Sequence, residues 1–359
     1  MNQDVREHEL PEVGKISPEI FHEIIKPRLG AGNPNVLVGP QHGVDVGIVD
    51  LGGGQVMALS TDPFFVVPEY GWQRAGWFAV NILASDAATS GLRPVYLTVD
   101  LNLPRAITRA QLAELWQAVD RSCRELGIAI VTGHTARYDG CNYPMVGGAT
   151  IISLGARDAY VTPAMAQVGD AVIVTKGAAI EATGLFGVTF PQRISQALGA
   201  DVARAAEALF YQMTVVKDAM TAVEVGVRER GVTAMHDATE CGVWGGLYEI
   251  AEASGVGMVI DQAAVPVSHA ARAICDFFAM DPYSAISEGT LLLTCRPQAA
   301  QAVLARLDGA GITASRVGEV VPAARGVRLV DNGQERPLAH PRVDPFWEAY
   351  AKALSEGAG

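Results

Sequence analysis

The chain has 359 residues, 49% of them hydrophobic and 18% charged, with mean hydropathy +0.20; this excludes a disordered chain or a coiled coil, and the length suits two domains. Against 39 Asp and Glu stand 27 Lys and Arg, and the formal charge of -12 argues against a general binder of nucleic acid or anionic membrane, leaving room for a local anion site. Met1 to Gly14 is charged and lacks the apolar core of a signal peptide, and no run reaches the ~18 apolar residues of a membrane span, so a cytoplasmic protein without a membrane partner is expected.

A helical stretch is expected from Pro18 to Leu29, capped by Ser17 and ended by Gly30. Runs at Val46 to Val49, Val56 to Ser60, Val95 to Leu101 and Ile128 to Thr132 read as strands. Apolar residues three and four apart place helices in Trp72 to Ser90 and Thr108 to Leu126. After the polar segment Arg157 to Pro163, Gly169-Asp170 turns into a strand at Ala171 to Thr175. Helices near Asp201 to Arg230 and Gly245 to Ser254, with strands near Met258 to Asp261 and Thr290 to Thr294, complete a second α and β unit. The expected organisation is an N-terminal segment 1–30, domains 31–157 and 158–335, and a tail 336–359 that ends in a short helix. Cys123, Cys141, Cys241, Cys275 and Cys295 form no CxxC pair, as befits reduced thiols rather than a zinc ribbon. His22-Glu23 begins like HExxH, but Lys26 ends that reading.

Isolated aspartates punctuate the first half in Gly43-Val44-Asp45, Ser60-Thr61-Asp62-Pro63 and Ser85-Asp86-Ala87-Ala88. Asp45 and Asp62 flank an expected hairpin, and Asp86 follows in a helical segment. Brought together, three carboxylates need a cation, and oxygen ligands without His or Cys suit Mg²⁺ carrying substrate phosphates. The same aspartates are ordinary turn and capping residues, and spacing alone does not choose.

Val131-Thr132-Gly133-His134-Thr135 follows a strand and Gly147-Gly148 precedes another, where glycine permits close approach of backbone to a ligand. Neither a Walker A motif nor GxGxxG before a helix is present, so P-loop and Rossmann sites are not expected. In the second half, Met235-His236-Asp237-Ala238-Thr239-Glu240-Cys241-Gly242 leads into a helix whose N-terminus is a natural anion site. A capping turn with a satisfied histidine is the plain alternative for His236 and Asp237.

Taken in order, Gly14-Lys15-Ile16, Gly43-Val44-Asp45, Ser60-Thr61-Asp62-Pro63-Phe64, Ser85 to Pro94 and Ser287-Glu288-Gly289-Thr290-Leu291 resemble the AIR synthase (PurM)-like superfamily, nearest to its HypE branch. That superfamily also includes selenophosphate synthetase and thiamine-monophosphate kinase. The resemblance implies a two-domain α/β (α+β) enzyme: a four-stranded N-terminal β domain pairs with its counterpart into a dimer-interface barrel, a C-terminal α/β sandwich follows, and ATP lies between them. By the same resemblance, Asp45, Asp62 and Asp86 match the Mg²⁺-phosphate carboxylates. Thr61, Gly133, Thr135, Asp237 and Thr239 fall in nucleotide-binding words. Lys15 is a candidate phosphate partner, with solvated surface as the plain alternative, and His134 a candidate contact to substrate or phosphate, with a loop histidine bonded to backbone as the alternative. Thr132 replaces the first glycine of that loop. Lys176 is expected to line the cleft and Glu288 to be a structural or second-domain site residue rather than a catalyst.

Three departures limit what is inherited. No cysteine follows Cys295, so the C-terminal thiol that accepts a carbamoyl group in HypE is not expected; no Cys precedes Asp45, unlike selenophosphate synthetase; and Ala238 to Gly242 replaces a thiamine-kinase motif. The expected function is ATP-dependent, Mg²⁺-requiring transfer of the γ-phosphoryl group to an oxygen of a small or protein-borne acceptor. The alternatives are a non-catalytic ATP-binding scaffold of a maturation complex and a thiamine-monophosphate kinase-like enzyme.

Overall fold

A computed structural model describes Leu10, Ile16 and residues 18–357. Lys15 and Ser17 lie outside the described residues.

The first half forms one six-stranded sheet from β1 (Val36–Val38), β2 (Gly47–Gly52), β3 (Gln55–Phe65), β4 (Pro94–Leu103), β5 (Ala129–Arg137) and β6 (Met145–Ala156), in the order β1-β2-β3-β6-β4-β5. The expected count of four strands is therefore corrected to six. Gly52, Gly53 and Gly54, all at positive φ, fold β2 back on β3, and β1 extends that edge. Helices α1 (Trp72–Ala88) and α2 (Arg109–Leu126) cover one face. Thr108 and Gln111 cap α2 reciprocally, and Gly127 ends it in the left-handed conformation. The α2 crossover makes β4 and β5 the one parallel pair of this sheet.

The second half builds a seven-stranded sheet ordered β13-β12-β9-β11-β7-β10-β8. Its strands are β7 (Ala171–Thr175), β8 (Val232–Asp237), β9 (Gly257–Asp261), β10 (Leu291–Cys295), β11 (Ala314–Val321), β12 (Val327–Asp331) and β13 (Gln334–Pro337). Between them run α3 (Ile180–Thr189), α4 (Pro191–Leu198), α5 (Ala200–Leu209), α6 (Val216–Val223), α7 (Gly242–Ser254), α8 (His269–Phe277) and α9 (Ala300–Gly309), and α10 (Pro345–Ser355) follows β13. The helical region expected near Asp201 to Arg230 consists of α5, α6 and short 3₁₀ turns. The break comes from a tertiary bond: Val215 N–H donates to Ser85 Oγ of α1 at 2.9 Å. The expected tail boundary at 336 falls inside β13, and α10 then packs Phe346 and Tyr350 edge-to-face with Phe186 of α3.

One apolar core runs through both sheets. Leu83, Ala84, Ala87 and Ala88 of α1 pack with Leu97, Leu101 and Ile151 of the first sheet and with Ile173, Met235, Leu291 and Leu293 of the second. Strands β7, β8 and β10 are buried along their whole length, as expected of strands covered on both faces. Small residues allow this density. A Cβ on Gly76 of α1 would sit 2.7 Å from Leu115 O of α2.

The glycines of β5 and β6 serve the same end. A Cβ on Gly133 would lie 2.5 Å from Val99 O, and one on Gly147, at φ +149, would lie 1.8 Å from Asp100 O. The close approach expected toward a ligand is thus an approach to β4. Gly148, whose Cβ would meet only Asp62 O at 3.7 Å, is the internal control. Gly147→Ala is expected to destabilise by at least about 2 kcal/mol and Gly148→Ala by much less, as chemical denaturation of the two variants will show.

Candidate active site

The alternation of β3 sorts its side chains between two faces. Ser60 points inward and donates from Oγ to Asp86 Oδ2 at 3.3 Å, while Thr61 points outward to Thr150 Oγ1 at 2.7 Å. Asp86 occupies the last turn of α1 and is 5% exposed. Facing it from the second sheet are Asp237 at the end of β8 and Glu288 in the turn before β10, both fully buried. Asp62 and Asp45 complete the group from the first half.

Burial and the neighbouring charges of Asp237, Asp62 and Asp45 push the Asp86 carboxyl well above the usual carboxylate range, and it shares a hydrogen bond with Asp62. Burial and Asp237 do the same to Glu288. Asp237 goes the other way: burial opposes its charge, yet His236 beside it and the carboxyls of Glu288 and Asp86 hold it down at about 2. Among the described residues neither oxygen of Asp237, nor Glu288 Oε2, has a hydrogen bond of good geometry; His236 stands beside Asp237, Ser85 acts on the Glu288 carboxyl, and the other neighbours are carboxyl groups. Buried carboxyl groups crowded on one another fit a hard divalent cation, and Mg²⁺ matches their oxygen donors.

His236 lies next to this group on β8. Its Nε2 bonds Glu249 Oε2 of α7 at 2.8 Å, and its Nδ1 stands 3.3 Å from Asp45 Oδ2 and 3.5 Å from Asp237 Oδ1. Burial works against the imidazolium, but Asp237, Glu249 and Asp45 outweigh it and push its pKa up to about 10. Gly43, at φ +70, brings the Asp45 loop down onto Glu249, where a Cβ would meet the Glu249 Cβ at 3.2 Å.

Asp45, Asp62, Asp86 and Asp237 therefore converge, whereas other expected site residues do not. Thr61, Gly133 and His134 line a shallow concavity of about 410 Å³ on the outer face of the first sheet, and Thr135 lies exposed on the same strand. Strand alternation turns Thr61 away from Asp62, and the β5 residues are exposed. His134 Nε2 bonds Tyr138 OH at 3.0 Å. Lys176 is engaged structurally, donating to Thr214 O at 2.7 Å and Asp218 Oδ2 at 3.0 Å.

The expected anion site at the start of α7 is filled by the protein itself. Cys241 N–H donates to Asp344 Oδ2 at 2.6 Å, Gly242 N–H to Thr239 O at 3.0 Å, and Trp244 N–H to Tyr283 O at 3.1 Å. Thr239 thereby shapes a turn, accepting also from Ser287 N–H. Asp344, the N-cap of α10, is raised to about 6 by burial, against the pull of the Phe346, Cys241 and Ile286 N–H groups.

Glu181, Glu249 and Asp344 belong to the site's surroundings and carry no motif in the sequence. Glu288 belongs to the carboxyl cluster itself, not merely to the scaffold. Burial, with the charges of Asp344, Glu240 and Asp237, raises Glu181 from 4.5 to about 8, although Glu288 N–H donates to it. The stability that protonated Glu181 confers is complete below pH 4.5 and is lost as the pH rises to 8. Glu181→Gln, which keeps the acceptor oxygen, is expected to flatten this decline by a few kcal/mol, as denaturation of both proteins at pH 5 and pH 8.5 will show.

Comparison with known proteins follows the same division. The model described as AIR synthase related protein, N-terminal domain, matches residues 43–169, and that of the C-terminal domain matches residues 167–331. Carbamoyl dehydratase HypE of Escherichia coli (strain K12) is 30% identical over 300 residues, covering 82% of this chain and 84% of that protein. Among solved structures, a chain of the HypE-HypF complex superposes with TM-score 0.72 at 21% identity, over 90% of this chain and 99% of that one. The hydrogenase maturation protein HypE in complex with ATP gives 0.65 at 24% identity, over 92% and 97%. With both halves matched in order and the two-sheet architecture shared, the chain belongs to the AIR synthase related family.

Proposed function

We propose that this chain is an ATP-dependent, Mg²⁺-requiring enzyme that transfers the γ-phosphoryl group of ATP to an oxygen of a small or protein-borne acceptor, turning that oxygen into a leaving group. The observation that carries this reading is the cluster of Asp86, Asp237 and Glu288, buried where the two halves meet with their carboxyl groups turned on one another. The complex of a relative with ATP supports it.

Asp45, Asp62 and Asp86, with Asp237 opposite them, would hold the ion. When bound, it supplies charge neutralisation and orientation of the phosphates. The protein's own part is placement. Phosphoryl transfer asks for alignment and electrostatic stabilisation rather than a nucleophilic triad. Asp86 is fixed on α1 by Ser60, and Asp237 is fixed at the end of a strand buried along its whole length, so the two carboxyls stand ready before substrate arrives.

The outer face of the first sheet supports a homodimer. Tyr96, Val131, Met145 and Leu154 are exposed there, and β5 has one unpaired edge, a combination that favours cover by a partner. Thr61, Gly133 and His134 would then lie at the interface. Light scattering is expected to give a dimer that Val131→Glu weakens.

Calorimetric titration with a non-hydrolysable ATP analogue is expected to give Mg²⁺-dependent binding, weakened at least about tenfold, or ~1.4 kcal/mol, by Asp62→Asn. Absence of binding to the wild type would sink the ATP reading. Binding without phosphate release in the presence of any acceptor would instead favour the scaffold.

A further inference from the structure

We propose that Asp45, His236 and Asp237 form a divalent-metal site of mixed nitrogen and oxygen donors, which takes a first-row transition ion in preference to Mg²⁺. The proposal deepens the reading above, resting on it only for the presence of a cation in this corner of the cluster.

The three residues each offer one ligand atom, and these atoms all lie within 4.8 Å of one another. The separations of Nδ1 from Asp45 Oδ2 and Asp237 Oδ1, 3.3 and 3.5 Å, bracket the ~3.4 Å between neighbouring ligands of a tetrahedral ion with bonds of ~2.1 Å. Neither contact has good hydrogen-bond geometry: Nδ1 is buried without a well-aligned partner among the described residues, and so are the Asp237 oxygens, whose neighbours are His236 itself and other carboxyls.

Glu249 settles which imidazole nitrogen is available. A carboxylate 2.8 Å from Nε2 accepts its proton, so a metal ion would enter at Nδ1, taking the place of the proton that otherwise sits there between two carboxylates. A lone pair and two anions confined together call for a proton or a metal ion, and carboxylate support on the far nitrogen is the usual arrangement behind a metal-bound histidine. An imidazole donor also shifts preference from Mg²⁺, which favours oxygen, toward Mn²⁺, Co²⁺ or Zn²⁺. Access exists, since the Asp45 side chain is 25% exposed while His236 and Asp237 are sealed at 1%. Because Asp45 comes from the first half and His236 from the second, the ion would tie the Gly43 loop to α7.

Cobalt is the probe. Full-length protein, stripped with chelator, is dialysed against equimolar Co²⁺ with millimolar Mg²⁺ and no nucleotide. The expected result is one cobalt retained per chain, with the intense visible bands of a low-coordinate ion and one strongly shifted, solvent-exchangeable imidazole N–H proton resonance from the Nε2 side of His236. Glu249→Gln is expected to weaken retention 10- to 100-fold, and His236→Gln at least as much. Cobalt displaced by Mg²⁺, a shifted spectrum without the imidazole N–H, or unchanged retention in both variants would overturn the proposal. The N–H resonance is read on the wild type, so a variant that fails to fold leaves the test intact. Titration of the same stripped protein with Mg²⁺ and the ATP analogue separates the two readings: nucleotide binding without cobalt retention defeats only the metal assignment, and cobalt retention without nucleotide binding defeats only the ATP reading.

Discussion

Negative charge held out of water is the constraint around which this chain is arranged. Asp45, Asp62, Asp86, Asp237, Glu181 and Glu288 act on one another at the meeting of the two sheets, with the basic His236 beside Asp237. Carboxylates in that position are unstable unless they take up protons or a cation. The scaffold accepts this cost because its apolar burial is extensive: α1, which delivers Asp86, is packed between the two sheets by small side chains, and β8, which delivers His236 and Asp237, is buried from end to end. The rigidity that makes the cluster expensive also keeps its geometry fixed.

Much of the fold was legible because its signals are local. The amphipathic α2, with Thr108 and Gln111 at its start and Gly127 at its end, announces itself, and the aspartate words carried Asp45, Asp62, Asp86 and Asp237 to one place. What stayed hidden depends on tertiary surroundings. Helix α3 is buried on every side, so no amphipathic period marks it and Glu181 could not be singled out. The break after α5 comes from a hydrogen bond to Ser85, 130 residues away. Thr61 shows how finely faces are divided: one residue from Asp62, it stands on the opposite side of the sheet.

The start of α7 illustrates a different kind of concealment. The sequence there has every mark of an anion site, and an anion does sit on it, but that anion is the chain's own Asp344. Through this carboxylate the last helix is fastened to the loop that carries Asp237 and Thr239, and Phe346 and Tyr350 hold the same helix against Phe186. Residues after 336 are thereby part of the site's frame rather than an appendage.

The core shared by both sheets also bears on how such a chain can change over generations. Two separate profiles describe its halves, which suggests modules free to be exchanged. Physically they are not free, because α1 shares one apolar core with Leu97 and Ile151 of the first sheet and Ile173 and Leu293 of the second. A half imported from a distant relative would meet a helix contoured for a different partner. Drift on either side of α1 must be answered on the other, so the two halves are bound to a common evolutionary history.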